Sequence, residues 1–251
     1  MDELKDKVAI ITGGSGDIGA AAANKFAVEG AKAVVIADLD TEKATKICRK
    51  IKSETSCDCI AVKTDVSSYA DIKKLFKITL ENYGTLDVLV NCAGICPIAT
   101  LEEIGEKEWD KTMDINLKSS YLCSREAIAM MKEKRSGKII NISSIAGRMG
   151  GIVTSISYAT SKGAIITLSK SLAKMCGPYN INVNCIAPGI IDTEMTKAWD
   201  KSWKESILKG IPLERFGTSE DVANTIVFLA SEKSSFMTGA ILDLNGGSYS
   251  G

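Results

Sequence analysis

The chain has 251 residues, 45% of them hydrophobic, with 31 basic and 31 acidic side chains and no histidine. That length and apolar content suffice for one domain with a full core, and balanced, scattered charge leaves no electrostatic footprint for nucleic acid or an anionic membrane. The N-terminal Met-Asp-Glu-Leu-Lys lacks the basic start and apolar run of a secretory signal, and no uncharged stretch is long enough to span a bilayer, so a cytoplasmic protein is expected.

Short β-branched runs alternate with helix-length segments along the chain. Strands are predicted at Val8–Thr12, Ala33–Asp38, Ile60–Lys63, Val88–Asn91, Lys138–Ser143, Asn182–Ala187 and Ile241–Leu244. Because these runs are apolar nearly throughout rather than alternating, they imply a parallel sheet covered on both faces. The expectation is an α/β fold, a Rossmann-type doubly wound parallel sheet of about seven strands. No repeat, low-complexity tract or linker interrupts residues 1–251, which therefore read as a single domain.

The first strand runs directly into Gly13-Gly-Ser15-Gly16-Asp17-Ile18-Gly19 and then an alanine-rich helix. Strand, glycine loop and helix form the context in which backbone approaches a pyrophosphate and free N–H groups at the helix start hold its charge. The second strand ends at Asp38, nineteen residues past Gly19. A carboxylate there can accept hydrogen bonds from both hydroxyls of an adenosine ribose and repels a 2′-phosphate, so NAD is expected in preference to NADP. No basic residue in the glycine loop welcomes the extra phosphate.

Without imidazole, proton transfer near neutral pH falls to a carboxylate, thiol, amine or phenol, the last titrating near ~10. Two Tyr-x-x-x-Lys pairs occur, Tyr69 with Lys73 and Tyr158 with Lys162, and in a helix either lysine would lie beside its phenol. The first follows Ser67-Ser68 and reads as the capped start of an amphipathic helix. The second lies fourteen residues after Ser144. The eight cysteines form no Cys-x-x-Cys pair; they are read as reduced, mostly buried thiols, and no metal site is expected. The irregular segment from about 192 to 218, in which Trp199 and Trp203 share a helical face, reads as a lid.

These landmarks together resemble the short-chain dehydrogenase/reductase family, in its single-domain branch of about 250 residues. The resemblance rests on Thr12-Gly13…Gly19, Asp65-Val66, Asn91-Cys92-Ala93-Gly94, Asn116, Ser144, Tyr158 with Lys162, Pro188-Gly189 and Thr193, in that order. It selects Tyr158 over Tyr69. It implies that Asp65 and Val66 hold the adenine, that Asn91 supports the central strand at the cofactor site, and that Ala93 and Gly94 pass close to the cofactor. It further implies that Ile191 and Thr193, after Pro188-Gly189, bind the nicotinamide carboxamide, and that Asn116 keeps a water in line with Lys162.

Three departures accompany the resemblance. Asp17 replaces the middle glycine of the cofactor loop, and is expected to cap the following helix and point away from the pyrophosphate. Cys92 stands where asparagine is commoner. The spacing from Ser144 to Tyr158 is one residue longer than is common, which places an extra residue in the loop between Gly147 and Ser157; strand alternation turns the neighbouring Ser143 to the other side.

The implied chemistry is hydride transfer between a nicotinamide and a carbinol or carbonyl carbon, with Tyr158 as general acid/base, Ser144 on the substrate oxygen, and Lys162 and the positive nicotinamide lowering the tyrosine pKa. Segments Ile95–Ala99, Ile145–Ser157 and Met195–Ile211 are expected to line a mainly apolar substrate pocket. An uncharged alcohol or ketone is favoured, such as a hydroxysteroid, bile acid, diol or polyol. The alternatives are a 3-oxoacyl-(acyl-carrier-protein) reductase, for which Lys134-Arg135 could face an acidic carrier, a catalytically silent dinucleotide sensor, and a nucleotide-sugar epimerase or dehydratase. The family implies a homo-oligomer, a tetramer or a dimer, with the helices over Thr112–Lys134 and Tyr158–Cys176 as candidate interfaces.

Overall fold

A computed structural model describes residues 2–151, 154–197 and 200–251. Its central sheet has seven parallel strands: β1 (Val8–Thr12), β2 (Ala33–Asp38), β3 (Asp58–Lys63), β4 (Val88–Asn91), β5 (Gly137–Ile142), β6 (Ile181–Pro188) and a last strand, Ile241–Leu244. The spatial order is β3-β2-β1-β4-β5-β6 followed by Ile241–Leu244. Chain order reverses between β1 and β4, which opens a crevice at the carboxyl ends of the strands, the position where doubly wound sheets take ligands.

Helices α1 (Asp17–Val28), α2 (Thr41–Glu54), α3 (Tyr69–Tyr83), α4 (Glu106–Met113), α5 (Ser119–Lys134), the short α6 (Ala146–Met149) and α7 (Ile156–Cys176) connect the first six strands. After β6 come β7 (Ile191–Asp192), α8 (Glu194–Lys197), α9 (Lys201–Leu208), β8 (Gly217–Thr218) and α10 (Ser219–Ala230), so that Ile241–Leu244 is β9.

Strand alternation divides the core in two. Ala9 and Ile11 of β1 with Val34 and Ile36 of β2 face α1, α2 and α10, meeting Phe26, Ile51 and Ile226. Ile10 and Val35 face the opposite layer, meeting Leu75 and Phe76 of α3 and Met131 of α5. Each such fully buried aliphatic or aromatic side chain contributes about 1.5–3 kcal/mol. Because both faces are covered, these strands lack the polar alternation of a half-exposed sheet, which is why their sequences are continuously apolar.

Local chemistry sets the helix ends. Ser68 accepts from the Asp71 N–H to start α3, and Gly84, at φ 73°, ends it. Ser155 accepts from the Tyr158 N–H at 3.2 Å, which fixes the first turn of α7. Thr218 and Asp221 form a reciprocal capping box at α10.

Four predicted strands coincide with the observed ones. β3 begins two residues early because Asp58, although charged, sits on an edge strand where its carboxylate takes the Tyr83 hydroxyl and the Lys52 ammonium. β6 extends to Pro188, where an absent N–H is harmless and the carbonyl accepts from the Ile145 N–H. The helix expected over Thr112–Lys134 is interrupted by a π-helical turn, Asp114–Lys118. Lys134 and Arg135 fold back onto the protein, the ammonium to Asp87 and Thr85 and the guanidinium to the Pro178 carbonyl. Among the described residues, no helix is long and apolar enough to cross a membrane.

Candidate active site

A cavity of about 720 Å³ lies along the carboxyl ends of the strands. It is lined by Gly13, Ser15, Gly16, Asp17, Ile18, Gly19, Asp38, Asp65, Val66, Ala93, Gly94, Ser144, Tyr158, Lys162, Pro188, Gly189, Ile191 and Thr193. Every sequence-predicted site residue except Asn91 and Asn116 is therefore on one surface.

At one end the glycine loop is held by contacts that no larger residue allows. A Cβ on Gly19 would stand 2.4 Å from the Gly13 carbonyl oxygen, and one on Gly13, which has φ +64°, would stand 2.7 Å from Ala93 Cα. Thr12 joins β1 to β4 at this point, its hydroxyl accepting from the N–H groups of Cys92 and Ala93 at 3.1 and 3.2 Å. Asp38 accepts from the Ser15 N–H at 2.9 Å and the Asp40 N–H at 3.0 Å, one on each oxygen, so its carboxylate is oriented before any ligand arrives. A carboxylate has about four acceptor sites, which leaves it capacity for ribose hydroxyls. Gly16 caps α1 without a side chain, leaving the amide end of that helix for an anion. These residues fit a dinucleotide.

Asp17 does not cap its own helix as expected. It occupies the first helical position and its carboxylate accepts from the Glu194 N–H at 2.8 Å, tying the glycine loop to α8. Asn91 braces the central strand, and its side chain does not line the cavity. Its amide nitrogen donates to Asn141 at 2.8 Å and Ser124 at 3.1 Å behind the sheet, so it supports the strand without touching a ligand.

At the other end, α7 presents Tyr158 and, one turn later, Lys162. The Lys162 ammonium is 5.7 Å from the Tyr158 ring centre and donates to the Ile142 carbonyl at 2.9 Å. Burial pushes the Tyr158 phenol above its ordinary range, the neighbouring Cys96 adds to this, and a hydrogen bond with the Ser144 hydroxyl opposes it. Burial likewise lowers Lys162. Burial thus opposes the lowering expected from Lys162 together with the positive nicotinamide. Ser143 also lines the cavity, and its hydroxyl is engaged by donating to the Lys162 carbonyl at 2.7 Å. Burial pushes Cys92 and Cys96 up to about 11, so the thiols lining this end are neutral near pH 7.

Asn116 lies fully buried in the π-helical turn just behind the cavity. Its side chain accepts from the Ile95 N–H at 2.8 Å and donates to the Ile95 carbonyl and the Ser161 hydroxyl, each at 3.0 Å. A Cβ on Gly94 would meet Asn116 Oδ1 at 3.3 Å and Lys162 Nζ at 3.4 Å, so the bare backbone at 94 lets all three pack together. By contrast Tyr69 lies far from the cavity, its hydroxyl donating to Glu126 at 2.7 Å and its ring facing Lys73 and Arg125.

The expected lid is anchored by pairing of Ile191 with Gly217 and Asp192 with Thr218, a two-residue ribbon that sequence reading missed. Trp203 and Ile207 of α9 line the cavity. Trp199, the side chain of Met195, and Ile152 and Val153 of the preceding loop lie outside the described residues. Also missed were Lys43, in the first turn of α2 on the cavity wall, and Thr196, whose hydroxyl accepts from the Thr193 N–H at 2.9 Å. The Thr193-x-x-Thr196 spacing is the turn signal that could have found the latter. Among the described residues, no group of three or more Cys, Asp or Glu is arranged to hold a metal.

The fold and the cavity define a doubly wound dinucleotide-binding protein with a serine, a tyrosine and a lysine gathered at one end. The family model described as enoyl-(acyl carrier protein) reductase matches residues 14–249, and the chain belongs to the short-chain dehydrogenase/reductase family. It is 39% identical over 243 residues to 3-oxoacyl-[acyl-carrier-protein] reductase FabG of Staphylococcus aureus (strain N315), covering 97% of this chain and 98% of that protein. To the protein of the same name from Chlamydia muridarum it is 42% identical over 244 residues, with the same coverage. The crystal structure of gox2181 matches with a TM-score of 0.93 at 32% identity, covering 98% of this chain and 96% of that one. The chain is thus an oxidoreductase acting on CH–OH groups with a nicotinamide dinucleotide.

Proposed function

We propose that the protein interconverts a 3-oxoacyl thioester and its 3-hydroxy form. The reaction chemistry rests on Ser144, Tyr158 and Lys162 lining one end of the same cavity, with Lys162 one helical turn after Tyr158 on α7. The substrate class rests on the 39–42% identity to the 3-oxoacyl-carrier-protein reductases, which moves this reading ahead of the hydroxysteroid and polyol readings favoured from residues alone. The uncharged walls formed by Ile95, Ile145, Met149, Trp203 and Ile207 suit an acyl chain.

When bound, the nicotinamide supplies the hydride and, oxidised, a positive charge. In reduction Tyr158 gives its phenolic proton to the substrate oxygen while Ser144 donates a hydrogen bond to the same atom. Lys162, held by the Ile142 carbonyl, stabilises the phenolate, and Asn116 holds Ile95 and Ser161 in place around it. Steady-state reduction of acetoacetyl and longer 3-oxoacyl thioesters, run beside steroid, diol and polyol substrates, tests the assignment. A kcat/KM for every thioester below that for an unactivated ketone would reject it.

A second reading, NAD-linked oxidation of an uncharged secondary alcohol, is favoured by Asp38. The charge of Asp38 supports NAD over NADP, although Lys43 also lines the cavity. Asp38→Asn removes that charge and keeps one of the two acceptors, since the amide nitrogen that replaces the other oxygen cannot accept from the Ser15 or Asp40 N–H. It is expected to lower the kcat/KM ratio for NADH over NADPH by at least about tenfold, or ~1.4 kcal/mol. An unchanged ratio would put the preference elsewhere.

Asp17→Gly removes the acceptor of the Glu194 N–H. It is expected to raise substrate KM several-fold and change the dinucleotide Kd by less than about tenfold, as read by titration and initial rates. A hundredfold gain in dinucleotide affinity would mean that the carboxylate opposes the pyrophosphate. We infer self-association through α5 and α7, a reading supported by the exposed Tyr121 and Met175 side chains, and sedimentation of the purified chain tests it.

A further inference from the structure

Cys48 of α2 and Cys59 of β3 face each other beneath the helix, on the sheet edge remote from Tyr158 and Ser144. Their sulfurs are 2.7 Å apart, about 0.7 Å beyond a covalent S–S bond of ~2.0 Å. Cys57 shares the strand face with Cys59, yet its thiol turns to the neighbouring Asp58 carbonyl at 3.3 Å. Cys57 is nearer in sequence, but the fold pairs Cys59 across elements with Cys48. The packing of α2 on β3 brings the two sulfurs to within a few tenths of an ångström of bonding distance.

We propose that Cys48 and Cys59 form an oxidisable dithiol, a site at which a hydroperoxide converts two thiols into a disulfide joining α2 to β3. Cys48 is the attacking sulfur. It is the more exposed of the pair, at 5% against 2%, and it accepts the Cys59 S–H. The Lys52 ammonium stands one helical turn away. The hydrogen bond from Cys59 and then Lys52 hold Cys48 below the usual thiol range, whereas Cys59 is raised.

The Cys48 thiolate attacks an oxygen of the hydroperoxide, the O–O bond breaks, and the leaving alkoxide or hydroxide departs protonated, giving a sulfenic acid. The Cys59 sulfur then attacks Cys48, the S–O bond breaks, and hydroxide leaves as water with the Cys59 proton. Two thiols and one hydroperoxide yield one disulfide, one alcohol or water, and one water; the thiols lose two electrons and the O–O bond gains them. Since the pair lies away from the Ser144–Tyr158 end, oxidation is expected to leave kcat within about twofold while constraining the unfolded chain.

Titration of the full-length protein with hydrogen peroxide, followed by alkylation of remaining thiols and peptide mapping, tests this. The expected result is a Cys48–Cys59 disulfide that forms before Cys57, Cys92 or Cys96 is modified and is reversed by dithiothreitol. The unfolding midpoint should rise by several degrees on oxidation in the wild type and not in Cys48→Ser or Cys59→Ser. Recovery of alkylated Cys48 and Cys59 after the other thiols have reacted would overturn the proposal, as would a disulfide through Cys57. The mapping uses the wild-type chain, so the answer does not depend on either variant folding.

Discussion

Tyr158→Phe is expected to lower kcat by about 10³-fold, on the order of 4 kcal/mol, while the dinucleotide Kd stays within about threefold. The change removes one hydroxyl and leaves the ring packed, so binding and fold persist while the proton donor is lost. Tyr69→Phe is the matched control. It removes only the hydrogen bond to Glu126 on the surface, and wild-type turnover is expected. Comparable losses in the two variants would reject Tyr158 as the acid/base.

The pH dependence follows from the direction in which burial moves the phenol. With its pKa raised, Tyr158 is protonated at neutral pH, the form that reduction needs. Reduction should therefore be insensitive to this group near neutrality and fall only in strongly alkaline solution. Alcohol oxidation needs the phenolate, so its kcat/KM should climb with pH, by up to about tenfold per unit below the pKa. Tyr158→Phe should abolish that climb, and a rising limb that survives in the variant would assign it to another group.

Lys162→Met is expected to reduce turnover by about 10²-fold, or ~2.7 kcal/mol, with little loss of fold stability. Lys162 is 5% exposed and desolvation already disfavours its charge, so replacement by an apolar side chain of similar length relieves one cost. It leaves the Ile142 carbonyl without its 2.9 Å donor, which costs about 1 kcal/mol, and the two effects nearly cancel. Initial rates and thermal unfolding on the same sample separate the roles. A fall in activity that tracks an equal fall in stability would make Lys162 structural rather than catalytic.

What could be read from the chain alone was what local pattern determines. β1, β2 and β4 are apolar runs that end on a polar residue, and their limits were legible because a doubly covered sheet demands that pattern. The glycine loop was legible because Gly13 and Gly19 answer to contacts within a few residues or with the adjacent strand. What was missed depends on distant partners. Asp17 reads as a helix cap until Glu194, 177 residues on, is brought to it. The β7–β8 ribbon has two residues per strand and no periodicity to detect. Asn91 was placed near the cofactor by its motif, but its direction is set by Asn141 and Ser124 on other elements. The raised phenol of Tyr158 is likewise a property of its burial, which no spacing encodes.

The central claim is a hydride delivered to the carbonyl carbon of a 3-oxoacyl thioester at the Ser144–Tyr158–Lys162 end of the cavity. It is tested most directly by supplying the reduced dinucleotide deuterated at the transferable nicotinamide position and locating the label in the product. The account predicts one deuterium per turnover, on C3 of a single 3-hydroxyacyl enantiomer, with label transfer slowed about 10³-fold in Tyr158→Phe. A product with no deuterium at C3, or transfer equally fast in the variant, would contradict it.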